Sequence, residues 1–141
     1  MLFTESLLAV FVLVTITFVL AIWMGIERNK VIYSKEVRIK DIALTKETWP
    51  ARAKQISNAY HNQYELPVLF YVLVAFALIT RKADLIFVVL AWVFVISRVI
   101  HAYIHTTSNH VPRRFFMYLV GLFTLIAMWI YFAIRVIFGI L

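Results

Sequence analysis

Asn58, Asn62 and Glu65 stand at i, i+4 and i+7, and Arg98, His101 and His105 at i, i+3 and i+7. Each trio shares one face if its segment is helical. On facing helices these groups can do two kinds of work. They can hold the helices in register, through a Glu65–Arg98 ion pair and two Asn–His hydrogen bonds, or they can line a wet cavity. Arg28, Arg113 and Arg114 would ring the mouth of such a cavity with positive charge, which suits an anionic, water-soluble ligand. His61, His101 and His105 also raise a haem or metal site, since helix bundles ligate such groups through histidine. The i, i+4 spacing of His101 and His105 suits one metal rather than two axial haem ligands, and Arg98 would repel a cation. That reading ranks last, and no metal ligand is assigned.

The elements that must position these residues follow from composition. Of 141 residues, 64% are hydrophobic and 15% charged, with a mean hydropathy of +0.90. Water-soluble domains carry about 45–50% apolar and about 25% charged residues, so the chain reads as an integral membrane protein. The absence of cysteine excludes a disulfide scaffold, a thiolate metal site and a catalytic cysteine. The net charge of +7 would suggest nucleic acid in a soluble protein. In a membrane protein it marks cytoplasmic loops, and no nucleic-acid partner is expected.

The sequence predicts an all-α, antiparallel four-helix membrane bundle forming a single domain over residues 1–141, with spans at about 4–26, 54–80, 84–105 and 114–138. Leu7 to Ile26 carries no charge and is long enough to cross about 30 Å of hydrocarbon. It reads as an uncleaved anchor rather than a signal peptide. The middle runs, Leu66 to Ile79 and Leu85 to Ile96, are too short and must gain length away from the tight Arg81-Lys82-Ala83 turn. This recruits the two polar trios, with Glu65 and Arg98 roughly 21–23 Å from the turn. Pro67 removes a hydrogen bond and kinks the second span beside the trio. Pro50 starts that span, with Thr48 as its cap.

Arg28, Lys30, Lys35, Arg38, Lys40, Lys46, Arg52, Lys54, Arg113 and Arg114 fall on one side of these spans. Only Arg81, Lys82 and Arg135 fall on the other, where Arg135 can snorkel to the interface. The first side is therefore cytoplasmic and both termini are not.

The run Asn58-Ala59-Tyr60-His61-Asn62-Gln63-Tyr64-Glu65, followed by Pro67 and Phe70, resembles the helix-two signature Arg-Ala-x-x-Asn-x-x-Glu, then Pro and Phe, of the MAPEG superfamily. These are the membrane-associated proteins in eicosanoid and glutathione metabolism, and the likeness is to a bacterial-type member. Ser97-Arg98-Val99-Ile100-His101, Gly25-x-x-Arg28, and Arg114 with Tyr118 resemble further family positions. The resemblance implies a homotrimer in the bacterial inner membrane, binding glutathione as co-substrate at the cytoplasmic side.

Such a member is a glutathione-dependent transferase or peroxidase in which an arginine stabilises the thiolate, which attacks a lipophilic small-molecule substrate delivered from membrane lipid. Carried over by position, Arg28, Asn62, Glu65 and Tyr118 contact glutathione, and Arg114 or Arg113 stabilises the thiolate. Arg98 anchors Glu65, and Asn58, His101 and His105 complete the site. The signature arginine is Asn58 here, and His105 stands where the family's enzymes place a tyrosine. The alternative is a non-catalytic membrane subunit or lipid-binding member of the same fold.

Overall fold

The computed structural model describes residues 2–35, 38, 40 and 49–139. Thr48, expected as a cap, and Lys46 lie outside the described residues. Among the described residues the regular structure is helical, and four segments are long and apolar enough to cross a membrane. The elements are α1 (Leu2–Tyr33), α2 (Ala51–His61), a 3-10 turn (Asn62–Tyr64), α3 (Leu66–Ile79), α4 (Leu85–Thr106) and α5 (Val111–Ile137). At 32 residues, α1 is about 48 Å long and overruns the hydrocarbon layer.

The second span, Ala51–Ile79, is not one helix. It breaks into α2, the 3-10 turn and α3, with Glu65 at φ −96° and ψ −104° between the halves. Pro67, in the first turn of α3, has no N–H to continue the ladder from below. The Glu65 N–H turns back to Asn62 O and the Val68 N–H to Glu65 O, both at 3.3 Å.

The α3–α4 turn closes with Arg81 in a left-handed conformation and the Lys82 N–H reaching Ala77 O at 2.8 Å, which satisfies a late carbonyl of α3. Asp84 then caps α4 by accepting from the Phe87 N–H at 2.9 Å.

The hub is α4, on which α1, α2 and α5 all pack. Half of its most apolar stretch is buried, against 17% for α1. The core joins Leu13 of α1, Phe70 and Leu73 of α3, Phe94 and Val95 of α4, and Leu125 and Met128 of α5. Phe70 and Phe94 stack at 4.8 Å. Gly121 lets α5 lie close on α4, since a Cβ there would stand 3.0 Å from Ser97 Oγ and 3.6 Å from Arg98 Cδ. The outward apolar side chains, such as Phe18, Ile22, Phe123 and Ile130, suit a lipid solvent rather than water.

At the end bearing the α3–α4 turn, α5 is pinned by one polar cluster. Arg135, expected to snorkel outward, is instead only 7% exposed. It donates to Lys82 O at 2.5 Å and pairs with Asp84 at 3.1 Å, while the Tyr131 hydroxyl donates to the same carboxylate. A guanidinium withdrawn from water needs such partners, and the turn supplies them. Burial by itself would raise the Asp84 carboxyl. The Tyr131 hydroxyl, the Phe87 N–H and the Arg135 guanidinium outweigh it and hold it below its ordinary 3.8.

A carboxyl held low stabilises the fold fully above its ordinary value and loses that contribution as pH falls through the lower, folded-state value. Asp84→Asn is therefore expected to lower the unfolding temperature of detergent-solubilised protein near neutral pH. The gap from wild type should close as the pH falls through the lowered folded-state value; a constant gap would count against the pairing. Gly121→Leu should cost about 2 kcal/mol by forcing α5 off α4, read as a lower unfolding temperature.

Candidate functional site

The end of α4 sets the site. Its last carbonyls lack intrahelical donors, and α2 supplies them. Arg52 Nη1 donates to Thr106 O at 2.6 Å, and Gln55 Nε2 donates to His105 O at 2.8 Å and Thr107 O at 3.2 Å. Two reciprocal stacking contacts tie α2 to α1: the Arg52 guanidinium lies 5.1 Å over Trp23, and the Arg28 guanidinium 5.0 Å over Trp49. Arg28 also donates to Ser57 Oγ at 3.0 Å.

The expected ladder of side-chain pairs is not formed. Arg98 meets Asn62, through a 3.4 Å bond to its carbonyl, and not Glu65. The His105 carbonyl meets Gln55, and not Asn58. Among the described residues Glu65 and Arg98 form no ion pair, and the Asn62–His101 and Asn58–His105 hydrogen bonds are absent. The 3-10 turn interrupts the helix before Glu65, and Asn58, Asn62, Glu65, His101 and His105 line one cavity instead of pairing across it.

Where α2 and α5 stand apart, with α4 behind them, a cavity of about 520 Å³ opens, within the range of ligand sites. The second span contributes Asn58, His61, Asn62 and Glu65; α4 contributes His101 and His105; α5 contributes Val111, Arg114, Phe115 and Tyr118. The His101 and His105 rings meet edge-on at 5.7 Å, and the Tyr118 ring lies 6.3 Å from His101. Both imidazoles are buried with Nδ1 unpartnered. Behind this wall Arg98 is 0% exposed, with Nε and Nη1 unpartnered. Two guanidiniums against the Glu65 carboxylate leave the site net positive, favouring an anion.

Of the residues expected here, Asn58, Asn62, Glu65, His101, His105, Arg114 and Tyr118 share the cavity. Three do not line it: Arg28 is turned to Ser57 and Trp49, Arg98 lies beneath the wall, and Arg113 is exposed, its N–H bonded to His110 Nδ1 at 3.3 Å. Three contributors were missed, and His61, raised above only for a haem or metal, also lines the cavity. Val111 and Phe115 line it, and Asn109 accepts from Arg114 Nη1 at 2.5 Å. A signal for Asn109 existed in the sequence, since asparagine before a His-Val-Pro helix start is the chemistry of a left-handed turn. Among the described residues no group of three or more His, Asp or Glu side chains is arranged to hold a metal. A separate apolar recess of about 470 Å³ between α1 and α3, lined by Phe3, Leu7 and Leu78 among others, carries no charged group.

The MAPEG family model matches residues 6–134, nearly the whole chain. No curated protein and no solved structure matches.

If Arg52 and Gln55 hold the end of α4, the double variant Arg52→Ala/Gln55→Ala should expose those carbonyls at a cost of about 1–3 kcal/mol per bond. Hydrogen exchange should quicken at the amides around Ile104 to Thr107 while the Phe87–Val95 segment stays protected. Unchanged exchange at 104–107 would remove the caps from the account.

Proposed function

The chain belongs to the MAPEG family, and from that premise we propose that it is a glutathione-dependent transferase or peroxidase acting on lipophilic electrophiles. The observation that carries the reading is the shared wall of Arg114, Glu65, Asn62 and Tyr118 in one net-positive cavity. These groups fit a tripeptide that bears an ammonium, two carboxylates and a thiol. Glu65 suits the ammonium. Asn58, Asn62 and the His101 and His105 side chains in the wall suit the peptide and carboxylate groups.

Arg114 is the cation for the sulfur. Its place in the wall supports it over Arg113, which is exposed outside the cavity. Glutathione supplies the nucleophile: its thiol loses a proton to cavity water, and the thiolate either forms a C–S bond to an electrophilic carbon as the leaving group departs with its bonding pair, or attacks one peroxide oxygen, breaking the O–O bond to give a sulfenic acid and an alcohol that takes up the released proton. The guanidinium lowers the energy of the negative sulfur that the first event creates. Arg98 keeps the Asn62 carbonyl, and with it the turn before Glu65, against α4. The basic loops support a cytoplasmic mouth, and the homotrimer and inner-membrane location belong to the same proposal.

A second reading has its own observation. Asn58 lines the cavity at the position where the family signature has arginine, which removes a grip on a carboxylate. A non-catalytic or lipid-binding member would follow if that loss abolishes glutathione binding.

The test is glutathione titration of detergent-purified protein by calorimetry, with thiolate absorbance followed in parallel. Saturable binding with a thiolate signal is expected. Arg114→Ala should abolish the signal and lower kcat/KM by about 10²–10³. Loss at Arg113→Ala instead would overturn the assignment of the arginine, and no binding at millimolar glutathione would favour the non-catalytic reading.

A further inference from the structure

Asn109 sits in the link between α4 and α5 with φ +51°, a left-handed conformation that asparagine tolerates better than most residues. Its two ends do different things. The backbone N–H reaches back to Ile104 O at 2.7 Å, closing the helix that carries His101 and His105. The side-chain oxygen accepts from Arg114 Nη1 at 2.5 Å. One residue thus ties the end of the histidine-bearing helix to the cation of the cavity.

We propose that Asn109 is a positioning residue that fixes the Arg114 guanidinium in the cavity wall while leaving its charge undiminished. The proposal deepens the glutathione reading and rests on it for the role of the cation. The acceptor is a neutral amide. A carboxylate at the same 2.5 Å would pair with the guanidinium and cancel much of its field, whereas an amide orients it without a competing charge. The Arg114 side chain has no other protein hydrogen-bond partner among the described residues, so its remaining guanidinium N–H groups are open to an anion.

The other charged or titratable groups around it are His61 and Glu65 from the second span, Arg98, His101 and His105 from α4, and Tyr118 from α5. Glu65 is the one acid among them. Holding a long, flexible side chain in place beforehand also removes an ordering cost from the ligand-bound state.

The experiment uses the full chain in detergent and compares wild type with Asn109→Asp and Asn109→Gly. Both replacements accept a left-handed backbone, and unfolding temperatures check that both fold. With glutathione as probe, Asn109→Asp should keep binding within a few-fold. It should move the midpoint of thiolate formation up by about one pH unit, a tenfold loss of thiolate at fixed pH. Asn109→Gly should lower kcat with little change in KM.

A readout that needs no glutathione is the guanidinium N–H resonances of Arg114. These should be resolved by restricted rotation in wild type and averaged in Asn109→Gly. Averaged resonances in wild type overturn the tether. Thiolate curves that superimpose for all three proteins, in a wild type that forms thiolate, overturn its effect on charge. If wild type binds no glutathione, the functional reading fails while the resonances still decide the positioning.

Discussion

The carbonyls at the end of α4 have to find donors where a membrane leaves little water to provide them. Arg52 and Gln55 meet that need from α2, and much else follows from where those two side chains stand. By reaching for His105 O, Thr106 O and Thr107 O they hold α2 against the end of α4. With α2 held there, Arg98 bonds to the Asn62 carbonyl, and Asn58, Asn62, Glu65, His101 and His105 line one cavity. A helix-end problem is converted into the shape of a binding site.

The two ends of the bundle are built on opposite plans. Near the α3–α4 turn, Asp84, Tyr131, Arg135 and the Lys82 carbonyl form a closed set in which donors and acceptors are matched, and α5 is fastened to the turn. At the other end α5 departs from α2 and the polar groups are left over: two imidazole nitrogens, two guanidinium nitrogens of Arg98 and the Gln63 oxygen are buried without partners. Matched polar groups rigidify, while unmatched ones are costly unless something binds them. Between the two lies an apolar middle, where Gly121 admits the close approach of α5 to α4.

Much of this was legible in the residues. Four membrane-crossing helices follow from the apolar runs, the break in the second span from Pro67, and the cluster of Asn58, Asn62, Glu65, His101 and His105 from helical spacing. The absence of the paired ladder was not legible. It depends on side chains capping main-chain carbonyls about fifty positions away, which leaves no period in the sequence, and on a three-residue 3-10 turn that a straight-helix count passes over. Arg28 and Arg135 show the same limit. Their charge and location were readable, but their partners, Ser57 with Trp49 and Asp84 with Lys82, come from tertiary neighbours.

The way α2 is attached bears on how the protein must be handled. Long-range polar bonds and guanidinium–indole contacts, beside a small apolar cluster of Val31, Trp49 and Ala53, fasten this half of the second span, whereas α3 is held by the main apolar core. The two halves therefore answer to different solvents. Ionic strength and headgroup chemistry act on the first, and the hydrocarbon of the surrounding lipid or detergent on the second. A preparation can keep its helices and its melting transition and still have lost the geometry of its cavity, so the choice of detergent and salt is a choice about the site before it is a choice about the fold.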